Sequence, residues 1–193
     1  MTGNIRKLAV AVAVALPFMA IVAVLWPFAW DDGAITIGFA RNLAQHGILA
    51  PGPHSDPVEG YSTFLWMMIG TIPFVLGAGP DTAIDLMKFF TMAITLANAF
   101  IVHRLMRRHL ASSMLRWAGT LLFLYSSVSI LEANNGMETP LFLTLTLASI
   151  MLGERRDESR SRRNAFAMAT SVLALVRFES PFYLVPYLSL IHI

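Results

Sequence analysis

The chain has 193 residues, of which 56% are hydrophobic and 13% charged, and its mean hydropathy is +0.62. Soluble domains carry about a quarter charged residues, so this composition argues against a soluble domain and predicts an integral membrane protein. Cysteine is absent, which excludes disulfides, thiolate chemistry and zinc–thiolate sites; the net charge of +2 comes from short basic blocks between apolar runs, a pattern that reports orientation in a membrane and points to no nucleic-acid partner.

The first apolar run, residues 8–30, follows Arg6 and Lys7. It is longer than a signal-peptide core and meets Asp31 without a small-residue cleavage site, so it is expected to be a retained anchor with a cytoplasmic N-terminus. Asp31 and Asp32 close this run. Carboxylates are costly in hydrocarbon, so the pair must sit in water or in a polar site at the interface. Beyond them Ile35, Phe39 and Leu43 recur every four residues, with Arg41, Asn42, Gln45 and His46 on other faces, which predicts an amphipathic helix along the membrane ended by Gly47. Residues 50–57 hold three prolines and a glycine and read as a loop. Trp26, Trp30, Tyr61 and Trp66 fit an interfacial aromatic belt.

Segment 62–78 is apolar but short, and Gly70 and Pro73 interrupt it. Four further runs are expected to cross: 82–105, 115–131, 139–153 and 164–193. If 62–78 also crossed, nine basic residues from Arg104 to Arg163 would lie outside against Arg6 and Lys7 inside. If it stays at the outer interface, eleven of the fourteen basic residues are cytoplasmic. The positive-inside rule selects the second arrangement. The expected topology has five crossings and an interfacial outer loop over 31–81.

Residues 132–138 form the second outer loop of that topology, with Glu132 as a solvated loop end. Thr139 followed by Pro140 predicts a helix beginning at Thr139, with Glu138 exposed just before it. In the last run Arg177 and Glu179 interrupt apolar sequence, and ionisable residues inside a membrane helix are functional candidates. On a helix, residues i and i+2 point apart, so a direct pair between them would be strained. His46 and His54 read as solvated, and the basic run Arg155 to Arg163 reads as an orientation signal in contact with lipid.

Asp31-Asp32-Gly33-Ala34-Ile35-Thr36, Ala40-Arg41-Asn42-Leu43 and Val58-Glu59-Gly60-Tyr61-Ser62-Thr63-Phe64-Leu65-Trp66 resemble the first outer loop of GT-C glycosyltransferases that use polyprenyl-phosphate donors, closest to the terminal arabinofuranosyltransferase-like branch. Gly136-Met137-Glu138-Thr139-Pro140-Leu141 and Leu175-Val176-Arg177-Phe178-Glu179 resemble later motifs of the same group, in the same order. The chain departs from the pattern at Ala34, Gly38 and Phe178. The resemblance implies an all-α integral membrane fold, a GT-C-like bundle of transmembrane helices with juxtamembrane interfacial helices in the first outer loop. Residues 1–193 then correspond to the N-terminal part of that transmembrane domain.

The resemblance also implies transfer of a sugar from polyprenyl phosphate to an acceptor hydroxyl of a cell-envelope glycan, lipid or protein on the outer face of the inner (plasma) membrane. Asp31 is the expected general base, with Asp32 orienting it or binding a cation. Glu59, Tyr61, Arg177 and Glu179 are the substrate-binding candidates, Arg177 for the lipid phosphate. Asp32 and Glu138 are candidates to hold a divalent cation such as Mg, Mn or Ca. A transporter or flippase-like protein is the different-class alternative; it would place these charges near the midplane instead of at one face.

Overall fold

A computed structural model describes residues 2–28, 31–58, 63–154, 158–177, 179, 180, 182 and 185, with the backbone alone for 2–4, 6–8, 31 and 32. All eight elements among the described residues are helices: α1 (Thr2–Leu25), α2 (Asp31–His46), α3 (Phe64–Val75), α4 (Pro80–His109), α5 (Ser113–Leu124), α6 (Ser127–Asn135), α7 (Thr139–Gly153) and α8 (Arg160–Val176). The chain is therefore all-α. One described helix, α4, is long and apolar enough to cross a bilayer by itself. Its 30 residues rise about 45 Å at 1.5 Å each, more than the roughly 30 Å hydrocarbon core.

α4 is the axis of the fold and packs against α2, α3, α5, α6 and α7. One core lies where α2, α3 and the start of α4 meet, around Phe39, Ala40, Trp66, Met67, Phe74 and Met87. A second joins α1 to α4, α5 and α6 through Phe18, Val22, Met92, Ala99, Leu124 and Ala133. Polar side chains reinforce the α4 seam. Thr91 Oγ1 donates to the Ala133 carbonyl at 2.9 Å, and Asn98 Nδ2 donates to Pro140 O at 2.8 Å while Asn98 Oδ1 accepts from Thr144 at 2.7 Å. Each bond satisfies a group that would otherwise be buried unpaired.

Several local expectations are corrected. Gly70 and Pro73 do not interrupt α3, which runs through both to Val75. Gly70 instead lets α3 approach α2, since a Cβ there would lie 3.3 Å from that of Ala40. The run 115–131 is not one straight helix. It breaks at Tyr125–Ser126 into α5 and α6, bent by 48°, and Ser126 caps α6 by accepting from the Ser129 amide at 3.1 Å. The last run starts earlier than expected, with Ser159 as the cap of α8, and α8 stops at Val176 ahead of Arg177.

Within α2, Phe39 is buried and Gly47 adopts φ +69°, with its amide donating to Leu43 O at 3.0 Å, which terminates the helix as expected. Asn42 departs from the expected polar face. It is buried and donates to the Ala50 carbonyl at 2.7 Å, tying the following loop back onto the helix.

Candidate functional site

Asp31 and Asp32 lie in the first turn of α2, with their side chains outside the described residues. Their position is still fixed by the next residue. A Cβ on Gly33 would stand 2.9 Å from the Asn135 carbonyl oxygen, so only glycine allows the start of α2 to lie this close to the end of α6. A cavity of about 20 Å³, room for one water, remains between Gly33, Ala34, Lys88, Asn135 and Gly136.

The segment between α6 and α7 is shorter than expected. α6 extends through Asn135, so Glu132 occupies its last full turn, half-buried, instead of a solvated loop end. Gly136 then turns the chain with φ +67°, a conformation that costs glycine little, and a Cβ there would lie 3.6 Å from the Lys88 backbone. Trp66 Nε1 donates to the Gly136 carbonyl at 2.9 Å, and its ring stacks on Phe90 at 5.7 Å. Trp66 is thus buried and holds this turn; it is not part of an interfacial belt. Trp26 is half-buried and donates to Asp85 Oδ1 at 2.8 Å, whereas Trp30, Tyr61 and Glu59 lie outside the described residues.

Glu138, expected to be exposed, is 2% exposed at the N-cap of α7. Arg177 explains how a carboxyl can be buried there. Its Nε lies 3.3 Å from Glu138 Oε1 and 2.9 Å from Glu179 Oε1, and its guanidinium sits 5.8 Å from the centre of the Phe142 ring. The expected strain between positions 177 and 179 does not arise, because α8 has ended and Arg177 is extended (φ −139°, ψ 139°). Burial pushes the Glu138 carboxyl above its ordinary value of 4.5; its own backbone hydrogen bond and Arg177 oppose that shift, and Glu132 and Glu179 add to it. The Arg177 side chain facing it is one-third exposed.

Two residues that the sequence reading passed over organise the same end of the bundle. Lys88, 3% exposed, donates from Nζ to the carbonyls of Trp26 at 2.7 Å and Phe28 at 2.8 Å. Asn134 Nδ2 donates to Leu25 O at 2.9 Å and Phe28 O at 3.2 Å. Together they satisfy carbonyls at and just after the end of α1, the last of them, Phe28, three residues before Asp31. A lysine inside the apolar run 82–105 was itself the signal, because an ionisable residue in such a run needs a built partner.

Among the described residues, no group of three or more histidine or acidic side chains is placed to hold a metal ion. The described carboxylate of that candidate pair, Glu138, faces Arg177, and the Asp32 side chain lies outside the described residues. His46 and His54 are exposed.

Comparison with known protein families, with curated proteins and with solved structures found no match.

Proposed function

We propose that this chain is part of a multi-pass membrane glycosyltransferase of GT-C kind, which moves a sugar from polyprenyl phosphate to an acceptor hydroxyl at the outer face of the plasma membrane. The observation that carries the reading is that one short segment, 135–138, touches both the start of α2 and Arg177. The three stretches with GT-C resemblance, far apart in sequence, thus meet at one end of the bundle. A transporter would hold its charged groups near the midplane. Glu138, Arg177 and Glu179 instead gather in one cluster beside the turn at Gly136, which supports the enzyme reading.

In this mechanism Asp31 accepts the proton of the acceptor hydroxyl as its oxygen attacks the anomeric carbon. The bond from that carbon to the phosphate oxygen breaks, and polyprenyl phosphate leaves with its charge met by Arg177. Glu179 and Phe142 hold the guanidinium in place, and Asp32 orients Asp31. Glu59 and Tyr61 take part in substrate binding.

Sugar transfer from a panel of polyprenyl-phosphate sugars, measured in membranes containing the protein, tests this reading. Asp31→Asn should lower the transfer rate by ~10²–10⁴-fold, the usual contribution of a general base. Transfer at the unaltered rate would remove Asp31 from that role, and no transfer from any lipid-linked donor by the unaltered protein would remove the function.

A further inference from the structure

The opposite end of α4 carries a site of a different character. α1, α4 and α5 enclose an open groove of about 560 Å³, lined by Val10, Ala11, Val14, Leu96, Ala99 and Phe100, with His103, Trp117 and Thr120 at one end. Its volume falls within the range of about 300–1,000 Å³ typical of ligand sites. The polar groups in its wall are already partnered. His103 Nδ1 and Thr120 Oγ1 are 3.0 Å apart, Thr120 also donates to the Arg116 carbonyl at 2.7 Å, and the His103 ring lies 4.4 Å from that of Trp117. The groove therefore offers an occupant an apolar surface.

Phe100 and His103 also border a second cavity, of about 470 Å³, whose remaining lining is Arg104, Arg107 and Arg108. Arg108 is held by Glu154 at 2.9 Å. Arg104 and Arg107 are exposed, and no carboxylate among the described residues pairs with either. An apolar trough running into two free guanidinium groups fits an amphiphile with an anionic head. The spacing along α4 supports a lipid: Lys88 to Arg107 is about 28 Å of helix, close to the thickness of the hydrocarbon core. A bilayer whose far headgroup layer meets Lys88 thus puts Arg104 and Arg107 at the near one, with Phe100 at acyl-chain depth.

We propose that the groove between α1, α4 and α5 binds an anionic phospholipid, with an acyl chain along Val14, Leu96 and Phe100 and its phosphate on Arg104 and Arg107. The site rests on the membrane placement of α4 and is independent of sugar transfer.

The protein in neutral detergent, titrated with phosphatidylglycerol and with phosphatidylcholine of matched sixteen-carbon chains and read by native mass spectrometry, tests the proposal. Phosphatidylglycerol should bind more tightly than phosphatidylcholine. Removing both charges in Arg104→Gln/Arg107→Gln should weaken it about 30-fold, as expected for two arginines at a lipid surface. Ala11→Trp, which fills the trough, should weaken the long-chain lipid and leave dihexanoyl phosphatidylglycerol unchanged, whereas Arg41→Gln on α2 should change neither. If Ala11→Trp fails to fold, the double arginine variant, altered only at exposed positions, still decides.

Equal binding of the two lipids, unaltered affinity in the double variant, or equally tight binding of the six-carbon lipid would each overturn the site. A dimer that persists after delipidation would give the groove to a second copy and overturn it as well. Recovery of the chain from cells without detergent would overturn both this site and the membrane reading, whereas loss of the transfer reaction alone would leave it intact.

Discussion

The two ends of α4 treat basic side chains in opposite ways. Lys88, near the N-terminal end, is buried, bonded to two carbonyls, and surrounded by packing that leaves a cavity of only about 20 Å³. Arg104 and Arg107, near the C-terminal end, are exposed beside an open cavity of about 470 Å³. At the Lys88 end the segment after α1, the start of α2 and the end of α6 converge on that one small cavity. The contrast separates a charge built into the architecture from charges left available to a mobile ligand.

The largest effect expected from testing this contrast is at Lys88. Lys88→Met leaves the Trp26 carbonyl without its partner and should destabilise the fold by about 2–3 kcal/mol, read as a lower thermal midpoint in detergent. Arg104→Gln at the other end should stay within about 0.5 kcal/mol of the unaltered protein. Equal effects at the two positions would erase the distinction.

Trp66→Phe comes next. It keeps the ring stacked on Phe90 but removes the donor to Gly136 O, with an expected cost of about 1–2 kcal/mol in the same measurement. A neutral outcome would mean that the turn before Glu138 is held without Trp66.

A smaller effect should appear in pH dependence. Burial raises the Glu138 pKa above its ordinary 4.5, so between that value and the raised one the folded state binds the proton more tightly than the unfolded state. Its contribution to stability is complete below pH 4.5 and is lost as pH rises through the folded-state pKa. Glu138→Gln should remove that part of the decline in thermal midpoint. An unchanged profile in the variant would assign the decline to other groups.

Local chemistry made part of this organisation legible in sequence. The four-residue recurrence of Ile35, Phe39 and Leu43 with Gly47 after it defined α2, and Thr139-Pro140 marked the first residue of α7. What escaped the reading depends on partners remote along the chain. Glu138 looked exposed because Arg177, 39 residues later, supplies the compensating charge. Trp66 looked interfacial because its acceptor, Gly136, is 70 residues away. The Arg177–Glu179 pair looked strained because helical geometry was assumed through a point where α8 has already stopped. Ser126 had the chemistry of a helix cap, but the apolar residues around it outweighed that signal.

The proposed function requires the two ends of α4 to face different sides of a membrane, with the convergent motifs at the outer one. The chain has no cysteine, so single substitutions provide unambiguous labels. Gly79→Cys stands at the exposed N-cap of α4 with open space around it, and Arg107→Cys stands at the exposed far end. With a membrane-impermeant maleimide on intact cells, the account predicts labelling at position 79 and, at position 107, labelling only after permeabilisation. Labelling of 107 with protection of 79, or equal labelling of both in intact cells, would contradict it.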